Sequence, residues 1–151
     1  MPQCDIYTNI GFLATGLREY LSREFDKRIL PLGLNHKKSG ILWVCYDEPH
    51  TQVSLCSFIQ SDKNYVRLHI DELESAKLVK RKQNPNNRRE NLITLTQKGR
   101  ECARKTYQIM QDVHTDLLSP HLSTDEISTL QALLYKAFTG LQNTFSQKEQ
   151  Q

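Results

Sequence analysis

Apolar residues recur at three- and four-residue intervals along most of the chain, and the rhythm breaks where polar and turn-forming residues cluster. From Ile6 to Arg28, the residues Ile10, Leu13, Ala14, Leu17, Leu21 and Phe25 share one stripe, which predicts a long amphipathic helix ending before Pro31. A loop follows in which Asn35 can cap, and Ser39 to Tyr46, with Ile41, Leu42, Trp43 and Val44, predicts a short buried helix. Asp47 to His50 breaks that helix. Thr51 to Ile59 is again apolar-spaced, Gln60 to Asp62 is a polar break, and Asp62 to Lys77 predicts a second helix whose Val66, Ile70 and Leu73 face inward. The period then changes: Leu78 to Arg81 and Leu92 to Leu95 are β-prone runs, separated by a turn-rich loop from Gln83 to Glu90. Thr96 is placed to cap a further helix carrying Cys102, Ala103, Thr106, Met110, Val113 and Leu117 on one stripe, and Ser119 and Pro120 stop it. Ser123 and Glu126 form a capping box that opens a last helix with Ile127, Leu130, Leu134, Ala137, Phe138, Leu141 and Phe145. The tail from Ser146 to Gln151 is expected to fray. The pattern predicts a mainly α fold with a small β-hairpin, in which a helix-turn-helix is followed by a hairpin and flanked by long helices too apolar to stand alone.

The second helix of the pair gives the pattern a use. Its outward face carries Asn64, Arg67, Leu68 and Asp71, and Asp62 as N-cap leaves Lys63, Asn64 and Tyr65 at an exposed tip. A helix entering the major groove of DNA tip first needs donors, acceptors, small apolar contacts and a nearby cation for phosphate, and these residues supply them. Such a face on an isolated helix is more often a solvated surface. The hairpin changes the balance, because from Lys77 to Arg89 six cations (Lys77, Lys80, Arg81, Lys82, Arg88 and Arg89) occur with no acid, and two of them sit at its tip.

Taken together, Thr51-Gln52, Leu55, Ile59, Asp62, Val66, Leu73-Glu74, Leu78-Val79-Lys80-Arg81, Asn84-Pro85, Arg88-Arg89, Leu95-Thr96 and Gly99, at spacings that need no gap, resemble the winged helix-turn-helix of the MarR family of bacterial transcriptional regulators. The resemblance implies one MarR-like domain over residues 1–151. About 33–99 would be the DNA-binding region, and about 6–30 and 100–146 the dimerisation helices. It implies DNA contacts from Lys63, Asn64, Tyr65, Arg67 and Leu68 on the recognition helix, from Thr51 and Gln52 at the start of the preceding helix, and from Asn87, Arg88 and Arg89 in the wing. It also implies a homodimer, with Leu17, Leu130, Leu134, Phe138 and Leu141 in its interface, bound to a palindromic operator as a repressor. A small-molecule effector would sit near Phe12, His36, Trp43 and Met110. Three positions depart from the family pattern. Gln60 and Lys77 stand where glycine is frequent, and Asn87 stands where an aspartate would brace the wing arginine; its amide oxygen can accept a hydrogen bond but holds no charge.

Composition narrows the remaining choices. A chain of 151 residues, 38% hydrophobic and 25% charged, suits a single domain with dimerisation helices, and its net charge of +3 matters less than where the cations lie. No leader-like segment or run of about 20 apolar residues stands in the sequence, so the expectation is a cytoplasmic protein with no membrane partner. No glycine-rich phosphate loop or nucleophile motif points to an enzyme, and no catalytic residue or cofactor is expected. His36, His50, His114 and His121 form no metal-ligand spacing, and Trp43 reads as a packing residue. Cys4, Cys45, Cys56 and Cys102 are too scattered for a disulfide framework. Two alternatives stay open: a redox-sensing regulator acting through a cysteine such as Cys4, which Asp5 follows, and a winged-helix interaction module that does not read DNA.

Overall fold

Asn9 decides where the first long helix begins. A computed structural model describes residues 4–148. In it the Asn9 side chain accepts from the N–H of Phe12, so α1 spans Ile10–Ile29 and the residues before it, Ile6–Thr8, form a separate 3₁₀ turn capped by Asp5. The helix predicted from Ile6 is therefore cut four residues late, because an extended Asn9 backbone cannot continue it. A second 3₁₀ turn, Leu30–Leu32, carries the chain past Pro31 to Gly33, whose φ of 71° is in the left-handed region.

The next helix, α2 (His36–Val44), starts earlier than its apolar run suggested, since the Asn35 side chain accepts from Lys38 N–H and recruits the polar residues ahead of Ser39. A two-residue strand, β1 (His50–Thr51), stands where the sequence suggested only a break. Then come α3 (Gln52–Ile59), capped by Thr51, and α4 (Lys63–Ser75), whose N-cap Asp62 accepts from the N–H groups of Asn64 and Tyr65 at 2.9 and 3.0 Å.

Both of these helices end on a left-handed residue that is not glycine: Gln60 with φ 49° and Lys77 with φ 60°. In each case the next N–H reaches back to close the turn, Ser61 to the carbonyl of Cys56 and Leu78 to that of Leu73. The turn geometry placed in question by the missing glycines is thus kept, at a conformational cost of about 1–2 kcal/mol per residue. At the first turn, Lys37 Nζ donates to the carbonyls of Ile59 and Gln60 and offsets part of that cost.

The hairpin comprises β2 (Val79–Asn84) and β3 (Asn87–Leu95), and the sheet order is β1-β3-β2, all antiparallel. The predicted eight-residue loop shrinks to Pro85 and Asn86, because ladder pairing continues through polar residues that carry no β signal of their own. Thr96 opens α5 (Gln97–Leu118) by accepting from Gly99 N–H, and the reciprocal bonds of Ser123 and Glu126 open α6 (Thr124–Lys148). The expected fraying does not reach Ser146 to Lys148, which stay helical; the rest of the tail lies outside the described residues.

Contacts divide the chain into one compact unit ending at Val113 and a second from His114 onward. The core of the first is Phe25 and Ile29 from α1, Ile41 and Leu42 from α2, Leu55 from α3, Val66, Ile70 and Leu73 from α4, Val79 and Ile93 from the sheet, and Ala103 and Val113 from α5. Trp43 packs as expected: its ring lies between Phe25 and Tyr107, and its Nε1–H donates to the Ala103 carbonyl and Thr106 Oγ1, both at 3.1 Å.

Candidate nucleic-acid interface

The inward stripe of α4 fixes the direction of everything opposite it. With Val66, His69, Ile70 and Leu73 buried, Lys63, Asn64, Arg67, Leu68 and Asp71 are exposed, and Tyr65 sits at the margin with its ring edge-on to His69 at 4.5 Å. The helix tip is tied to its neighbour by Gln52, whose Nε2 donates to the Lys63 carbonyl at 3.0 Å. Thr51 is occupied as the cap of α3, through Ser54 N–H. Between these helix starts and the wing runs a groove of about 250 Å³ bordered by Thr51, Gln52, Lys63, Arg81 and Arg89. The folding chain therefore brings together residues up to 38 positions apart, counting from Thr51 to Arg89.

Two details of the wing differ from the sequence reading. Asn87 does not reach the Arg89 guanidinium; its amide oxygen accepts from the backbone N–H of Arg89 at 3.1 Å, so it shapes the turn and leaves the exposed arginine head to solvent. Arg81 does not join the cationic footprint, because its guanidinium turns to α4 and bridges the carboxylates of Asp71 and Glu74. Its backbone N–H also donates to Glu74 at 3.3 Å. Arg81 thereby couples the wing to α4 and neutralises acids that would face a polyanion. Lys80, Lys82, Arg88 and Arg89 stay exposed.

His69 was not singled out in the sequence, although its spacing of three from Val66 places it on the inward stripe. Only 3% of it is exposed, and neither ring nitrogen has a hydrogen-bond partner among the described residues. Burial pushes its pKa below the ordinary 6.5 despite Glu72, whose carboxylate lies 3.6 Å away and is itself engaged by Lys38 at 2.6 Å; Lys37 and Lys38 add to the depression. The unfolded chain accepts a proton that the folded chain refuses. Stability should accordingly be full above pH 6.5 and fall as the pH drops below it. Burial lowers His114 in the same direction. Urea denaturation at pH 7.5 and at about 5.5 should show a loss for the unmodified protein that is smaller in His69→Leu; an equal loss in both would assign the effect elsewhere.

Of the residues expected near an effector, Trp43 and Phe12 border two different hollows. Trp43 lines a hollow of about 460 Å³ with Tyr46, Arg104 and Tyr107. Phe12 borders a separate hollow with Cys4 and Asn9, His36 Nδ1 meets the Asp26 carboxylate at 2.7 Å, and Met110 is half-buried on α5. Burial pushes the Cys45 thiol up to about 12 and raises Cys102, which leaves neither poised as a thiolate. Cys4 is exposed. Among the described residues, no three His, Cys, Asp or Glu side chains cluster as a metal ion requires, and no helix is long and apolar enough to cross a membrane.

A recognition-type helix braced to a basic antiparallel wing defines the winged-helix fold of transcriptional regulators. Residues 34–91 match the MarR family. The chain is 27% identical over 133 residues to an uncharacterised HTH-type transcriptional regulator, YdcH, of Bacillus subtilis (strain 168), covering 84% of this chain and 90% of that protein. It is also similar to wild-type MarR of E. coli in its apo form, with 27% identity, a TM-score of 0.76, and coverage of 85% of this chain and 96% of that one. A cysteine-to-serine mutant of E. coli MarR complexed with operator DNA gives 28% identity, a TM-score of 0.71, and coverage of 88% and 98%. The fold and the matched segment are thus similar to those of MarR-family winged-helix regulators.

Proposed function

We propose that the protein is a sequence-specific regulator of transcription, a repressor that binds a palindromic DNA operator as a homodimer. Residues 33–99 would bind DNA, and 6–30 and 100–146 would supply the dimerisation helices within one MarR-like domain. The observation that carries this is the groove between α4 and the wing, where the exposed Lys63 and Arg89 stand beside Gln52, with Asn64 and Arg67 on the adjoining helix face. The N-terminal half of α4 enters the major groove, Arg67 contacts phosphate, and Arg89 follows the negative potential of the minor groove. The similarity to an E. coli protein that was crystallised with operator DNA supports the DNA-binding reading. A protein-interaction module would have no need of this alignment of cations. The cavity beside Trp43 is where an effector relieving repression would bind, since it touches both α2 and α5.

Footprinting on genomic fragments tests the reading. A protected palindrome with half-sites about one helical turn apart is expected, and absence of any protected site would overturn it. On that operator, Arg89→Ala should weaken binding and reduce the magnitude of the salt slope by about one unit, with a smaller effect from Arg88→Ala. Unchanged affinity and slope in Arg89→Ala would remove the wing from the interface.

A further inference from the structure

Among the residues that α4 exposes, which include Lys63, Asn64, Arg67 and Asp71, only Leu68 is aliphatic, and it is half exposed at 50%. It lies one turn beyond Asn64, on the side of the helix opposite the buried Val66 and Ile70. Its exposed neighbours on the helix are polar or charged and set it apart from an ordinary apolar docking face. Lys63 and Arg67 stand exposed on the same helix, and Lys63 shares the groove at the helix tip with Arg89, so this helix surface is cationic and suits a polyanion. The acid beside it, Asp71, is neutralised by Arg81.

Among the groups that base pairs display in the major groove, the 5-methyl of thymine is the one bulky apolar group, cytosine offering only a C5–H there and the rest being hydrogen-bond donors or acceptors. A leucine pressed on N7, O6 or an exocyclic amine removes water and offers nothing in return, which costs free energy. Pressed on the thymine methyl, it removes apolar surface from water on both sides and stabilises the complex. From this chemistry and position we infer that Leu68 reads the 5-methyl group of one thymine in each half-site, an assignment that rests on the DNA-binding reading above. Leu68 contributes to specificity twice, through the methyl it favours and through the polar edges it penalises, while Asn64 supplies the neighbouring hydrogen bonds.

The test uses the full-length protein and the operator defined by footprinting, with each thymine replaced in turn by deoxyuridine, which keeps base pairing and deletes only the methyl. One thymine per half-site should show a loss of about fourfold in affinity, the value of one buried methyl-sized group. That loss should vanish in Leu68→Ala, while Val53→Ala, which changes an exposed aliphatic residue that borders the groove at the start of α3, should retain it. Leu68→Asn should fold normally, as judged by its thermal transition, and lose the thymine preference at that position in a randomised-site selection. Tight operator binding with no deoxyuridine-sensitive thymine would overturn the inference and leave the DNA-binding reading standing. A penalty that persists in Leu68→Ala and disappears in Val53→Ala would do the same. Failure to bind any operator would overturn both.

Discussion

Gly99→Ala should destabilise the protein by about 3 kcal/mol or more, at or beyond the upper end of overpacking effects. In the middle of an ordinary helix the same change would stabilise by about 1 kcal/mol. Here the sign reverses, because a Cβ on Gly99 would lie 1.9 Å from the carbonyl oxygen of Leu78, a backbone atom that no side-chain rotation can move aside. That oxygen is already the acceptor for Thr96 N–H at 3.0 Å and for Thr96 Oγ1 at 3.2 Å, so retreat of the strand breaks the cap that starts α5. The denaturation midpoint should fall with little change in the slope. A variant as stable as the parent would mean that α5 and the entry to β2 do not approach as closely as described.

Phe138→Asp should convert the protein to monomers and abolish operator binding in the same concentration range. Within one chain Phe138 is 57% exposed and Leu134 48%, so a charge at either position costs the isolated subunit little. In the proposed dimer the same aspartate would be an unpaired ion in an apolar interface, at a cost of several kcal/mol. Leu141 extends this face, with Leu130 half-buried on the same helix, and on α1 the residues Ile10, Phe12 and Leu13 are exposed while Leu17 is half-buried. Light scattering and circular dichroism together give the reading: normal helicity with half the mass, and no retarded operator band. A unmodified protein that is already monomeric at micromolar concentration would refute the dimer, and a Phe138→Asp dimer would place the interface elsewhere.

Arg81 links these effects to recognition. In the proposed complex the wing and α4 would meet DNA together, and Arg81 joins β2 to Asp71 and Glu74 of α4 by three donors, two from its guanidinium and one from its backbone. In that proposal the exposed wing cations Lys80, Lys82, Arg88 and Arg89 would be left for phosphate while Arg81 holds β2 to α4. Counting charges along the chain overstated the free positive charge, since a side chain in an alternating strand points to one face or the other and only the fold says what stands there.

The sequence by itself determined the order of the helices, their inward faces and most of their starts. These depend on forces acting within a few residues: Thr51, Asp62, Thr96 and the Ser123–Glu126 pair each satisfy N–H groups of the turn that follows, and Val66, Ile70 and Leu73 share a face by helical period alone. The resemblance, carried by residues from Thr51 to Gly99, added the wing and its arginine. Tertiary structure decided what depends on residues distant in the chain. His50 and Thr51 become a strand only because Ile93 and Leu92 offer them a ladder, and two residues carry no period to read. The wing strands extend through Lys82 to Asn84 and from Asn87 to Asn91 because backbone pairing needs no apolar side chains once the hairpin has closed. Likewise Arg81 finds its acids seven and ten positions back, and Gly99 has to be glycine because of Leu78, twenty-one residues before it. Local sequence fixes which hydrogen bonds a turn can satisfy, whereas the partner of an extended strand or a long cationic side chain is chosen by packing.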